Sequence, residues 1–388
     1  MTWLLWVGLV ACGSDDKGTV EGTSADVEAD VDTDVEADID TDTDADADSD
    51  SDADADTDVD TVSTGDTAAP PTVGSAWSED GPVLPLPVCP EWYCLGATDP
   101  ALERDAAGNL VLWFSAGGDE SPGGPVLGRA LSTDDGASFV PEPNAPIHLA
   151  GSGVWDVRRE TVSVRFDPAV DRWTSWYLGY AVSFFDDPAI GQAVSTDADG
   201  TSFEPSDAPI YRPAPGSWDE LFVTGPTMVV GHDGVWRLYY VGAGSTVGVG
   251  LLESTDEGTT WTPHPDNPVF ERDLAGWDQG ILEPEVALID GRYHLWYAGY
   301  EEPLDLATSS MAIGLATSLD GVHWERHPDN PVLEPSGVAG SWNELRVTSP
   351  SVLLDDDGTL RMAVHGQSAA DAAAGIPLGR IGMYRAAP

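Results

Sequence analysis

The sequence predicts an all-β fold, a five-bladed β-propeller, and three observations carry that prediction. A unit of about 60 residues recurs five times. A full copy holds four short runs of strand character, parted by turns rich in Gly, Asp and Asn, the pattern of radially repeated blades. The fifth copy stops one strand short, at IGMYRAAP, while a spare strand, WSEDGPVLPLP (Trp77 to Pro87), precedes the first copy. That segment resembles WERHPDNPVLEP (Trp324 to Pro335), the outer strand of copy four. The N-terminal strand is therefore expected to complete the last blade. Closing the ring removes two sheet edges that would otherwise pair with other chains.

Each copy opens on a tryptophan: Trp92, Trp155, Trp218, Trp277 and Trp342. One per blade is more than a ligand site needs, so they read as packing wedges between blades. Near a channel mouth, Trp155 and Trp218 are also candidates for stacking on sugar rings. Asp156, Asp219, Asp278 and Asn343 follow four of the tryptophans and are expected to accept backbone hydrogen bonds in the turn. The innermost strand comes next. It lines the central channel of a propeller, so equivalent positions of the five copies converge on the axis. Aligned just before the proline of copies such as TDP and LEP, the copies give Asp99, Glu160, Gly225, Glu283 and Ser349.

The second strand is aromatic and ends in Gly: LVLWFSAG, RWTSWYLG, WRLYYVG, YHLWYAG and LRMAVHG. Before that Gly stand Ala116, Leu178, Val241, Ala298 and, out of character, His365. His365 is either a site residue or a hydrogen-bonded core histidine. A small-residue third strand leads into an acidic turn, as in STDDGASF, STDEGTTW and TSLDGVHW. In such turns Asp and Gly fix a hairpin and Trp261 is expected to pack beneath. The fourth strand follows an NPV signature, as in DNPVFE and DNPVLE. The glycine-rich GAGSTVGVG (Gly242 to Gly250) falls between two strands and lacks the spacing and helix of a phosphate loop.

The chain divides into residues 1–12, 13–75 and 76–388. Residues 1–12 are a short apolar run ending in Leu9-Val10-Ala11-Cys12, too short to span a bilayer and of secretion-signal character. From Asp26 to Asp60 every even position is acidic. As a strand it would stack like charges on one face, and it has no apolar surface to offset the entropy of ordering. It is expected to be a disordered tether extended by self-repulsion. Outside residues 15–66 the chain carries 46 acidic side chains against 15 arginines, a formal charge of −31. That surface repels nucleic acid and suits neutral sugars or cationic ligands. Cys89 and Cys94, with four residues between them, precede the first inner strand. In an exported chain they pair as a disulfide or remain free thiols.

Asp99, Glu160 and Glu283 form the candidate catalytic set. Carboxyls confined in a ring perturb one another and mark functional sites. Two chemistries fit. One is glycoside hydrolysis, with a proton donor and a second carboxyl that activates water or attacks the sugar, and a propeller mouth spans the roughly 6–9 Å of the inverting scheme. The other is a structural calcium ion on the axis, held by oxygen ligands, although no metal site or cofactor is required. Against both stands a purely structural network of these acids with Arg158, Arg159 and Arg346. Those arginines, with His365, Trp155 and Trp218, are otherwise candidate substrate contacts. Glu285, on the opposite face from Glu283, is expected to be solvated or structurally paired.

The blade pattern of acid-Pro, YxG, SxDG with Trp, and NPV resembles the five-bladed propellers of glycoside hydrolase families 43 and 32 and their relatives, including the mannoside phosphorylases of family 130. It covers residues 76–388. The turn, best seen in Ser254 to Trp261, resembles the Asp-box of sialidases and related propellers. In family 43 the first three blades supply a general base Asp, a pKa-tuning Asp and a general acid Glu. Asp99 matches the first, and Glu160 stands where the second would be. The third is not matched, because Thr224-Gly225-Pro226 replaces Glu-Gly-Pro, so Glu283 of blade four is the expected substitute. Separately, the LVAC ending resembles the lipobox of bacterial lipoproteins, which implies a lipid on Cys12. The resulting expectation is a monomeric, exported lipoprotein of the outer membrane or cell surface, touching the membrane only through its lipid. Its propeller acts on poly- or oligosaccharide. A non-catalytic glycan-binding or interaction propeller is the alternative.

Overall fold

A computed structural model of the chain describes residues 73–74, 76–85, 92–117, 126–142, 148–149, 155–182, 185–374 and 379–387. The expectations for residues 1–12, for Cys12, for the acidic stretch and for Cys89 lie outside the described residues. Cys94 is disulfide-bonded.

The strands form five sheets. After β1 (Ser78–Pro82), blade one contains β2 (Gly96–Arg104), β3 (Leu110–Gly117), β4 (Val126–Ser132) and β5 (Val140–Pro141). Blade two contains β6 (His148–Leu149), β7 (Arg158–Asp167), β8 (Arg172–Tyr180), β9 (Ala189–Ser195) and β10 (Ser202–Pro205). Blade three runs through β11 (Phe222–Val230), β12 (Trp236–Ala243), β13 (Val247–Ser254), β14 (Thr262–Pro263) and β15 (Phe270–Glu271). Blade four holds β16 (Gly280–Ile289), β17 (Arg292–Tyr300), β18 (Ala312–Ser318) and β19 (Glu325–Arg326). Blade five holds β20 (Arg346–Leu354), β21 (Leu360–Gln367) and β22 (Arg380–Ala386), with the one-turn helix α1 (Ala369–Ala373) between the last two.

The chain is thus a five-bladed β-propeller, closed as the repeat count requires. β1 pairs antiparallel with β22, Ser78 opposite Arg385 and Pro82 opposite Gly382. Val83 extends the seam, its amide donating to the Ile381 carbonyl at 3.0 Å while its carbonyl accepts from Phe139 of blade one at 3.0 Å. The inner strands β2, β7, β11, β16 and β20 contact one another in turn, and β20 returns to β2.

The core lies between blades. One apolar layer joins Trp113 and Val111 of blade one to Trp173 and Tyr177 of blade two, and another joins Ile313 and Leu315 of blade four to Met362 and Val364 of blade five. The five tryptophans border these layers. They also explain the glycines of the second strand. A Cβ on Gly242 would come within 2.6 Å of Trp218, and one on Gly179 within 2.5 Å of Trp155. Indole and backbone are in direct contact there, so no side chain fits.

The acids after the tryptophans do not cap turns as expected. Asp156, Asp219 and Asp278 are buried and accept from the hydroxyls of Tyr177, Tyr240 and Tyr297, each at 2.9 Å. Buried carboxyls need such partners, and these are the tyrosines of YxG. Blade five lacks that tyrosine. Asn343 donates instead to the Tyr384 hydroxyl at 2.7 Å. The NPV asparagines pair like strand residues: Asn267 and Asn330 each accept from and donate to one backbone residue, Leu251 and Leu315 respectively.

Candidate active site on the propeller axis

Each inner strand is broken by a β-bulge at one position. The register slips between Thr98 and Ala101, Glu160 and Ser163, Thr224 and Thr227, Leu282 and Glu285, and Thr348 and Ser351. At each slip one residue adopts a left-handed backbone: Asp99 (φ 50°), Thr161 (50°), Gly225 (57°), Glu283 (49°) and Ser349 (49°). Only Gly takes that conformation freely, and for the other four it stores on the order of 1 kcal/mol each. A bulge re-aims a side chain out of the pleat, and five of them on one radius aim five residues at the axis.

The structural column therefore reads Asp99, Thr161, Gly225, Glu283, Ser349. This corrects the alignment from sequence, which placed Glu160 in it. Blade two has Val162 where the other blades have proline, so the marker that fixes the register is missing there. Glu160 stands one residue earlier, level with Thr98, Thr224, Leu282 and Thr348.

The carboxyls nevertheless meet. Ser349 Oγ lies 3.0 Å from Asp99 Oδ1 and 2.6 Å from Glu283 Oε2. Thr98 Oγ1 donates to Asp99 Oδ1 at 3.1 Å, and Ser115 hydrogen-bonds the same carboxyl. Burial raises the Asp99 pKa, and these three hydroxyls partly oppose the shift. Glu160 is pushed up to about 7, first by burial and then by the Asp99 charge; the Tyr180 hydroxyl bonds it and the Glu283 charge adds to the rise. Glu283 is likewise pushed up to about 7, by burial and then by Asp99. The three acids thus share one electrostatic field, and among the described residues none of them forms an ion pair with an arginine.

The other sequence candidates are distributed unevenly. Arg158 lies close enough to Glu160 to lower its pKa. Arg159 is spent on Asp156, Nε to Oδ2 at 3.1 Å, and lies over the Tyr177 ring. Arg346 is buried and donates to the Leu306 carbonyl at 2.7 Å, and its Nε has no partner among the described residues. His365 is buried, with Nδ1 3.0 Å from Thr348 Oγ1. Burial holds its pKa down at about 3, so the ring is neutral. Thr348 in turn hydrogen-bonds Glu283, which ties His365 to the acids through one hydroxyl. Trp155 and Trp218 are half-buried over their own blades' glycines.

Beneath the bulges the inner strands line a half-open axial cavity of about 230 Å³, formed by Asp99, Thr161, Gly225, Glu283 and Ser349 and by the strand residues that follow them. Glu285 lines it too, contrary to the expected opposite face. Its carboxyl accepts from Thr227 Oγ1 at 2.8 Å and from the Val352 amide at 3.2 Å, and burial lifts its pKa to about 7. Among the described residues no group of three or more His, Cys, Asp or Glu side chains is placed to hold a metal ion.

Sequence reasoning put Ser349 in the axial column without giving it a role, and missed Ser115, Thr98 and Tyr180. Ser349 and Thr98 were visible as hydroxyl residues beside acids in the repeat. Ser115 was hidden by an offset. It pairs across from Thr98 as His365 does from Thr348, so the polar column contains Ser115 where the sequence alignment put Ala116.

No protein-family profile matches the chain, and no curated protein sequence does. Solved structures of the same fold do. A thermostable family-43 glycoside hydrolase superposes with a TM-score of 0.53 at 16% identity, over 74% of this chain and 88% of that one. A family 117 glycoside hydrolase produced by the marine bacterium Zobellia galactanivorans gives 0.59 at 14%, over 80% and 89%. A structure from the family of mannoside phosphorylases described as containing glycoside hydrolases that target β-1,2 mannosidic linkages in Candida mannan gives 0.57 at 18%, over 76% and 86%. At these identities the likeness is one of fold.

Proposed function

We propose that the propeller hydrolyses glycosidic bonds in poly- or oligosaccharides at the axial carboxyl cluster. The observation that carries the reading is the meeting of three acids with separated tasks. Burial raises all three; hydroxyls of Ser115, Ser349 and Thr98 oppose the rise at Asp99, whose charge helps push Glu160 and Glu283 up to about 7. Environments that push neighbouring carboxyls apart are how one site holds both an acid and a base. The fold's recurrence among glycoside hydrolases supports the same reading.

Asp99 is the ionised group that activates water or attacks the sugar. Sequence reasoning made Glu283 the substitute acid, but its oxygen reaches the same hydroxyl as Asp99, which leaves no gap between them for a sugar and a water. Glu160 bonds Tyr180 and stands outside that shared contact, so it is assigned the proton donor and Glu283 the group that tunes Asp99. Arg158 is the nearest candidate to orient substrate beside the donor.

A glycan-binding module is the second reading, and Gly225 favours it: blade three presents no acid where family 43 has one. Turnover of a panel of polysaccharides and aryl glycosides by residues 76–388 decides between them. Saturable binding without turnover selects the module. The propeller is further proposed to be exported and held at the membrane by a lipid on Cys12, with the acidic stretch as its tether.

A further inference from the structure

Ser349 stands between two acids with a single proton to offer. Its Oγ is 3.0 Å from Asp99 Oδ1 and 2.6 Å from Glu283 Oε2, and the residue is 5% exposed. A hydroxyl donates one hydrogen bond and accepts others. It therefore serves both acids only if one is protonated and donates to Oγ while Oγ donates to the other. With both ionised, one of the two short contacts would be a lone pair facing a carboxylate, and two close carboxylates resist joint ionisation in any case.

From this geometry we infer that Asp99, Ser349 and Glu283 act as a single-proton unit in which the Ser349 hydroxyl passes the proton between the two carboxyls. In the transfer the Glu283 O–H bond breaks as its proton joins Oγ. The original Oγ–H bond breaks as that proton joins Asp99. One negative charge remains throughout, moved from Asp99 to Glu283. The inference rests on the hydrolytic reading for its use: while Glu283 holds the unit's one proton, the Ser349 hydroxyl donates to Asp99, which stays anionic and able to activate water. The charged and titratable groups facing the unit are Glu160 on β7 with Arg158 and Tyr180 beside it, His365 on β21 through Thr348, and Glu285 farther along the cavity.

The repeat supplies the variants. Position 349 is left-handed, as are Gly225 and Thr161 at the equivalent positions. Ser349→Gly removes the hydroxyl without strain, and Ser349→Thr keeps it in a residue type the column already accommodates. The readout is infrared difference spectroscopy of the full chain across pH 4–9, following the protonated-carboxyl stretch, with Glu283→Gln to identify the Glu283 band. In Ser349→Gly the band should move and the Glu283 titration should rise by about one pH unit, a tenfold tighter proton, because the anionic state loses one of its donors while the Thr348 hydroxyl and the residue 349 amide remain. Ser349→Thr should titrate as wild type. An unshifted titration and band in Ser349→Gly overturn the relay. If the wild type turns over no glycoside, the hydrolytic reading fails and the infrared titration alone still decides the relay.

Discussion

At the scale of residues, the site gathers three acids whose pKa values burial raises. Asp99→Asn should lower kcat by a hundredfold or more while leaving thermal unfolding near wild type, since the amide keeps the shape but cannot act as base or nucleophile. Glu160→Gln should slow substrates with poor leaving groups far more than activated aryl glycosides, because only the former need protonation. If Glu283→Gln carries that signature instead, the donor and tuner are exchanged. The acids also set the pH dependence of stability. Glu160, Glu283 and Glu285 are raised from 4.5 to about 7, so the folded chain retains protons that the unfolded chain has released between those values. Their contribution is complete below pH 4.5 and is lost as pH rises through 7. The melting temperature should be higher at pH 5 than at pH 8. Glu285→Gln should flatten that slope by on the order of 1–3 kcal/mol, and an unchanged slope would remove Glu285 from the account.

At the scale of elements, two devices build the site. The bulge in each inner strand turns a residue toward the axis. The Trp-on-Gly contact fixes where the strand begins. Gly242→Ala should cost about 1–3 kcal/mol in a denaturant titration, as overpacking against Trp218 does, whereas Gly234→Ala, with open space around its Cβ, should cost only the strain of its left-handed backbone. Equal costs would show that the indole yields. The sequence displayed both devices as periodic letters, Trp and YxG and acid-Pro. It did not display the one-residue slip in blade two, because Val162 replaces the proline that marks the slip elsewhere. Nor could it show that the buried Asp after Trp belongs to the YxG tyrosine, a partner about twenty residues away.

At the scale of the whole molecule, the ring closes through its first strand. Removing residues 76–87 should lower the melting temperature far more than removing 15–66, since the former strips β1 from β22 and the latter removes none of the blade strands. Comparable melting temperatures for the two deletions would contradict closure as a source of stability. Cys12→Ala should move the protein from the membrane to the soluble fraction of cells. Retention of the variant through a high-salt wash would rule out the lipid as its anchor.

The sequence by itself determined the five blades, their strand order, the closing strand and the axial column that holds Asp99 and Glu283, because a repeated unit repeats its local physics: alternation, turns and packing glycines recur at fixed spacing. Tertiary structure alone decided what the acids do to one another. Asp99 and Ser349 are brought to one hydrogen bond across 250 residues only by closure of the ring. A pKa near 7 for Glu160 and Glu283 is a property of burial and of neighbouring charge, and neither exists along the chain. The hydroxyl that joins two acids belongs to a third blade, so no window of sequence contains the whole cluster.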